Sequence, residues 1–256
     1  MTDTPAQTPA QTPAQTPAIA VTPGEGTLQA ALDAAAEGAE LRLAAGLYTG
    51  PFVLERSVRL VAAAGADVIL AGAGRGSLLV VQGRQIQVAL FGLTLSGGGD
   101  TNAGGGVSVP NGARLVLDGC TIRDCTANGY GGGALFLRRG EAHLHRCRFE
   151  RCSGRSGGAV LLSNDATLRA VDCTFVACEA VHAGAAVAVR DRAVAALIGC
   201  DLSGCTAPEV RADDLGWLVD VQVAGLPTTL ERCTGVSAPG ALVSRGPATL
   251  RLVQPR

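Results

Sequence analysis

The sequence contains no lysine: all 21 basic residues are arginine, set against 22 acidic ones. With a net charge of −1, no global positive field gathers nucleic acid or an anionic membrane surface. An arginine-only set beside so much Ala, Gly and Val reads as coding bias rather than as function. Aromatic residues are only 3% of the chain, which argues against a stacking platform for single-stranded nucleic acid. No stretch is both long and uniformly apolar, so no membrane insertion is expected. The opening residues lack the basic and apolar regions of a secretory leader. The expectation is therefore a cytoplasmic chain, with export by another route left open. In that reducing compartment nine cysteines, an odd number, fit poorly with a fully paired disulfide framework.

What is present is organised. Residues 4–19 repeat TPAQ, TPAQ, TPAQ, TPAI. A Pro- and Thr-rich tract of this kind buries no core, so 1–19 is expected to be a disordered tail, with 20–256 forming one domain. The segment TLQAALDAAAEG places Leu28, Ala31, Leu32 and Ala35 on one face, predicting a capping helix over 27–37. Thr27 is positioned to cap its start and Gly38 to end it. Short β-type runs follow, separated by Gly-containing turns.

A repeat then sets in. Four frames of the form C-x₄-C occur: CTIRDC, CRFERC, CTFVAC and CDLSGC. Their first cysteines, Cys120, Cys147, Cys173 and Cys200, are spaced 27, 26 and 27 residues apart. Two residues on, the column reads Leu95, Ile122, Phe149, Phe175, Leu202. Three residues before, it reads Leu90, Leu117, Leu144, Ala170, Leu197, and five before, Val88, Leu115, Ala142, Leu168, Ala195. The glycine-rich stretches GGGV, GGGA, GGAV and GAAV fall into the same register, with a one-residue shortening in the turn before Gly157. Three short strands per period of this length predict a parallel β-helix of roughly eight coils, a rod near 40 Å long at about 4.8 Å per coil. Beyond Cys205 the pattern loosens, so 206–256 reads as irregular C-terminal coils. Trp217 lies there, either packed on the rod or offered to a sugar or partner.

The GG[AG][ALV] turns and C-x-[FIL]-x-x-C frames resemble the GGAI and FxxN repeats of chlamydial polymorphic outer-membrane proteins. Phe149 and Phe175 keep the Phe, while Cys152 and Cys178 stand where those repeats carry Asn. The segment TLQAALDAAAEGAELRLAAGLYTG is similar to the N-terminal cap and first coil of pectin-lyase-like β-helix proteins. Together these resemblances cover about residues 25–205 and imply a right-handed β-helix, the hand that crossover chirality also favours. They say little about activity, because one fold hosts many functions.

The cysteines read first as small buried hydrophobes. Cys120, Cys147, Cys173 and Cys200 form one internal ladder, and Cys125, Cys152, Cys178 and Cys205 a second. Disulfides and a metal site are the alternatives; the columns continue as Leu93 and Gly98, which are not ligands. On this reading Cys147→Ser costs about 1–3 kcal/mol through an unpaired hydroxyl. Opposite charges meet between coils: Arg123 under Glu150, Asp124 under Arg151, Arg146 under Asp172, and Arg139, Asp165 and Arg192 in one column.

Polysaccharide cleavage needs several gathered acidic groups, and hydrolysis two placed carboxyls. The candidates are Asp118, His145, Arg146 and Asp172, with His143, Arg148, Arg169, Asp201 and Trp217 as further binding residues. His182 reads as a lone solvated turn histidine. The glycine runs lack the Lys and Ser/Thr of a phosphate loop, so no cofactor is expected. The leading expectation is a non-catalytic scaffold or binding module for a polysaccharide or protein, with self-association open. The alternative is a carbohydrate-active lyase or hydrolase of the pectin-lyase-like class.

Overall fold

A computed structural model describes residues 18–100, 103–129 and 131–206, together with the strands Thr229–Glu231, Leu242–Ser244 and Arg251–Val253. The TPAQ tail up to residue 17, Trp217, Cys233 and most of 206–256 lie outside the described residues. Every pairing between named strands is parallel, and each strand pairs with the equivalent strand about one repeat away. The result is a parallel β-helix with a ten-stranded, a seven-stranded and a six-stranded face, and a four-stranded edge.

The columns read from the sequence are the columns of the structure. On the ten-stranded face Leu90, Leu117, Leu144, Ala170 and Leu197 stand in register, as do Val88, Leu115, Ala142, Leu168 and Ala195. All ten are buried. On the six-stranded face Leu95, Ile122, Phe149 and Phe175 stack, with the two Phe rings 4.8 Å apart and 7° from parallel. Alternation along each five-residue strand sends one side chain inward and the next outward, so the core is a continuous column of aliphatic, aromatic and thiol groups.

The rod is shorter than eight coils among the described residues. The six-stranded face has five rises, about 24 Å at the spacing of adjacent strands. The ten-stranded face is longer because Ile19–Val21 adds to one end, and Val194–Ile198, Thr229–Glu231 and Arg251–Val253 to the other.

The cap also differs from expectation. The helix covers Thr27–Ala34, ending three residues early because Ala35 is extended at ψ 137°. Gly26, at φ 68°, occupies the N-cap, while the Thr27 hydroxyl turns back to donate to the carbonyls of Thr22 and Gly24. Gly38, at φ 75°, lies past the helix, at the entry to Ala39–Leu43. The helix buries Leu28 and Leu32. Its Gln29 amide pairs with the edge strand Phe52–Leu54, donating to the Val53 carbonyl at 3.2 Å and accepting from the Val53 N–H at 2.9 Å. A side chain thus satisfies the strand edge that would otherwise be open to another chain.

The corners explain the cysteines. Gly119, Arg146, Asp172 and Gly199 each precede a first-column cysteine, with φ of 61°, 49°, 52° and 62°. Asp124, Arg151, Ala177 and Gly204 precede the second column, with φ of 55°, 50°, 50° and 75°. A single left-handed residue therefore turns the chain at each corner, and the following cysteine points into the core. Each thiol then meets a carbonyl. Cys147 Sγ lies 3.3 Å from the His145 carbonyl oxygen and 3.4 Å from that of Leu117; Cys125 Sγ lies 3.2 Å from that of Arg123. These carbonyls already accept a backbone N–H from the coil below: Gly119 donates to His145 at 2.9 Å and Arg146 to Val171 at 3.0 Å. The corner backbone is satisfied without an Asn side chain, so a weak donor suffices.

Candidate functional site

Two outward-facing regions carry polar chemistry. The first lies on the ten-stranded face, across the strands Arg114–Asp118 and Glu141–His145. Period-two alternation puts Arg114, Asp118, Glu141, His143 and His145 outside. Asp118 and His145 are register partners; His145 Nδ1 lies 3.3 Å from Asp118 Oδ1, and Arg146 donates to the same oxygen at 2.9 Å. The Arg146 guanidinium holds the Asp118 carboxyl below its usual range, with His145 adding to the effect. Glu141 pairs with His143, and that bond holds its carboxyl low as well.

The structure thus brings together three of the four candidate catalytic residues. Asp172 is not one of them. It lies one coil above Arg146, yet Arg146 reaches down to Asp118, and Asp172 makes no ion pair among the described residues. The expected Arg146–Asp172 pair is replaced because Asp118 stands beside Arg146 at the same corner. His143 has Arg169 as its register neighbour. Arg148 lies on the six-stranded face, 3.1 Å from Glu150. Asp201 accepts the backbone N–H of Ser203 at 3.0 Å and also its hydroxyl, so it shapes its own turn.

Nearby charges also close into pairs. Arg151 grips Asp124 with two bonds of 2.8 and 3.1 Å and also binds Glu150; Arg192 grips Asp165 at 2.7 and 2.8 Å. Each partner arginine pulls the carboxyl down: Arg151 on Asp124, Arg148 and then Arg151 on Glu150, Arg192 on Asp165. Asp118 and Glu141 lie four positions apart along the strand direction, about 13 Å. That exceeds the roughly 5–9.5 Å between the two carboxyls of glycoside hydrolysis. Among the described residues no three His, Cys, Asp or Glu side chains converge on a metal position. Burial pushes the Cys120 thiol up to about 12, and hydrogen bonds with Cys125 and Cys178, together with burial, push Cys152 well up. Hydrogen bonds from neighbouring thiols of the same files pull Cys125, Cys147 and Cys178 the other way, but all eight thiols are buried in the core, away from reactants in solution.

The second region shows in the sequence only as a shortened turn. The missing residue before Gly157 falls within a strand, Ser153–Ser156, on the four-stranded edge. This strand pairs with Glu179–Ala183, and the register slips between Gly154 and Ser156: Gly154 faces Ala180, but Ser156 faces Ala183. Val181 and His182 therefore stand opposite Arg155 alone, as a β-bulge. The coil below supplies Ala127 and Asn128. One short coil between two longer ones leaves a notch of about 330 Å³, lined by Ala127, Asn128, Ser153, Gly154, Arg155, Val181 and His182. Arg155 Nε donates to His182 Nε2 at 2.8 Å, which assigns the imidazole proton to Nδ1. Burial, then the Arg155 charge, lowers the His182 pKa and keeps the ring neutral near pH 7. His182 is accordingly a half-buried strand residue, not a solvated turn histidine. The spacing of 26 between Cys152 and Cys178, against 27 on either side, was the signal that marked this place.

No helix among the described residues is long and apolar enough to cross a membrane. No curated protein matches the sequence. A family model described as "Right handed beta helix region" matches residues 70–210, more than half of the chain and all the coils that carry the cysteine columns. The chain belongs to the right-handed β-helix family.

Proposed function

We propose that this chain is a non-catalytic β-helix scaffold or binding module that presents its outer faces to a polysaccharide or a protein. One observation carries this reading: the outward carboxylates of Asp118, Asp124, Glu141, Glu150 and Asp165 are each held by Arg or His. Those pairings pull the carboxyls down and keep them ionised. A general acid needs the reverse, a carboxyl that keeps its proton near neutral pH. The pairs that cross between coils, Asp118 with Arg146, Asp124 with Arg151 and Asp165 with Arg192, favour a single register.

The juxtaposition of Asp118, His145 and Arg146 favours a second reading, a carbohydrate-active lyase or hydrolase of the pectin-lyase-like class, with His145 or Asp118 as the base and Arg146 beside it. A glycan array combined with reducing-end and unsaturated-product assays separates the two. The first reading expects binding to a glycan or protein without turnover. Cleavage of any polyuronate, lost in Asp118→Asn and Arg146→Gln, replaces it with the second.

A further inference from the structure

Two of the chain's three histidines, His143 and His145, stand two residues apart on the strand Glu141–His145. Period-two alternation sends both to the outside of the ten-stranded face, on the same side as Glu141. Their side chains are 36% and 46% exposed, so water and small ions reach both rings. The charge pairing of this face engages only one nitrogen of each ring. His143 Nε2 pairs with Glu141 Oε1, and His145 Nδ1 lies 3.3 Å from Asp118 Oδ1. His143 Nδ1 and His145 Nε2 have no partner among the described residues.

The carboxylates decide which nitrogen keeps the proton. A neutral ring that donates to a carboxylate carries its proton there, and the lone pair sits on its other nitrogen. Imidazoles that ligate metals are oriented in this way, with the N–H on a carboxylate and the opposite nitrogen on the ion. Here the arrangement occurs twice, at successive outward positions of one strand. The Cα atoms of such positions lie about 6.6 Å apart, two strand rises, and at that separation both rings can lean onto one ion with bonds of about 2.0–2.1 Å. The core is untouched, because both side chains project from the outer face.

The neighbours select the class of ion. Arg146 donates to Asp118 at 2.9 Å and Arg114 lies 3.7 Å from Glu141, so both carboxylates are already engaged. Arg169, the register neighbour of His143, adds a further positive charge. A hard cation such as Ca²⁺ needs about six to eight oxygen ligands and gains little from this patch. Neutral ring nitrogens suit Ni²⁺, Cu²⁺ or Zn²⁺ instead.

We propose that His143 and His145 form a two-nitrogen chelate for a divalent transition-metal ion, with Glu141 and Asp118 orienting the rings and water filling the remaining coordination positions. Two protein ligands leave the ion exchangeable and open to a further ligand, unlike the closed four-ligand sets of structural zinc. The proposal is independent of whether the rod is a binding module or an enzyme.

The test titrates the full chain with NiCl₂ and follows the paramagnetic broadening of amide and histidine ring signals by NMR. The tightest-bound ion should broaden His143 and His145 first and leave His182, on the four-stranded edge, sharp. His143→Gln and His145→Gln should each weaken binding by roughly tenfold or more. Glu141→Gln and Asp118→Asn keep the ring nitrogens and should each weaken it by about tenfold, as the loss of an orienting partner does. Arg169→Gln should tighten binding by removing the nearby charge, and millimolar CaCl₂ should not displace the nickel. Protection of the framed cysteines from a water-soluble maleimide reports an intact rod in every variant. Broadening centred elsewhere, full affinity in either histidine variant, unchanged affinity in both carboxylate variants, or displacement by calcium overturns the site.

Discussion

At the scale of single residues, the corners carry the strain and the thiols relieve none of it. Ala177 sits at φ 50° with no side-chain function to justify it. A left-handed residue with a Cβ costs roughly 1–2 kcal/mol, part of which Gly returns as extra freedom in the unfolded chain. Ala177→Gly is therefore expected to stabilise the protein by about 1 kcal/mol in urea unfolding, an unusual sign for a change to glycine. The cysteine beside such a corner is easier to replace than the sequence implies. Read from sequence, a hydroxyl at Cys147 has no partner; in the structure two carbonyl oxygens lie within 3.4 Å of Sγ. Cys147→Ser should then cost about 1 kcal/mol, the low end of what an unmade bond would cost, and Cys147→Val should be similarly mild. A loss of 3 kcal/mol for the serine would show that it does not reach those acceptors. Burial at this position was legible from its column; its acceptors were not, because they belong to carbonyls two residues before it and one coil below.

At the scale of elements, ion pairs and close backbone approach do different work. Asp118, Asp124, Glu141, Glu150 and Asp165 are more acidic in the folded state than their ordinary values. Their contribution is fully present above the unfolded values near 4 and is lost as pH falls through the lower folded ones. Urea midpoints should be level above about pH 5 and drop below pH 4, with Arg151→Gln making the acid limb shallower. A stability that rises on acidification would contradict the pairing. Solvent screens each exposed pair, so the pairs that cross between coils contribute register rather than strength. The glycine-rich stretches are less forgiving. A Cβ at Gly131 would lie 1.7 Å from the Ala103 carbonyl oxygen in the coil below, a backbone atom that moves only with its coil. Gly131→Ala should cost about 3 kcal/mol or more, measured by the same unfolding curves.

Sequence columns placed these elements well because parallel in-register stacking makes every column a direct copy of the repeat. Leu117 over Leu90 and Phe175 over Phe149 follow from spacing alone. The Arg155–His182 notch was hidden for the same reason. A column search absorbs a missing residue as a turn adjustment, while a paired strand must express it as a slip that aims Val181 and His182 differently. Arg146 went to Asp118 rather than Asp172 because side-chain reach at a left-handed corner is not written in register.

At the scale of the whole molecule, each coil meets only the coils above and below it, so the rod behaves as a one-dimensional stack. Within it, eight reduced cysteines stand in two vertical files. Adjacent in-register strands hold equivalent Cα atoms about 4.8 Å apart, inside the roughly 4.4–6.8 Å that a disulfide spans. Each file is therefore a row of rivet holes. An oxidant small enough to enter, such as diamide, would take two electrons and two protons per pair and close loops of 26 or 27 residues. Loops of this length stabilise by about 3 kcal/mol per bond in the chain-entropy account. Untreated protein should resist a water-soluble maleimide at all eight positions. Diamide-treated protein should melt higher and lose two hydrogens per bond by intact mass. The same column that serves as apolar filling under reducing conditions would then join coil to coil, and the rod's resistance to unfolding would follow the redox state around it.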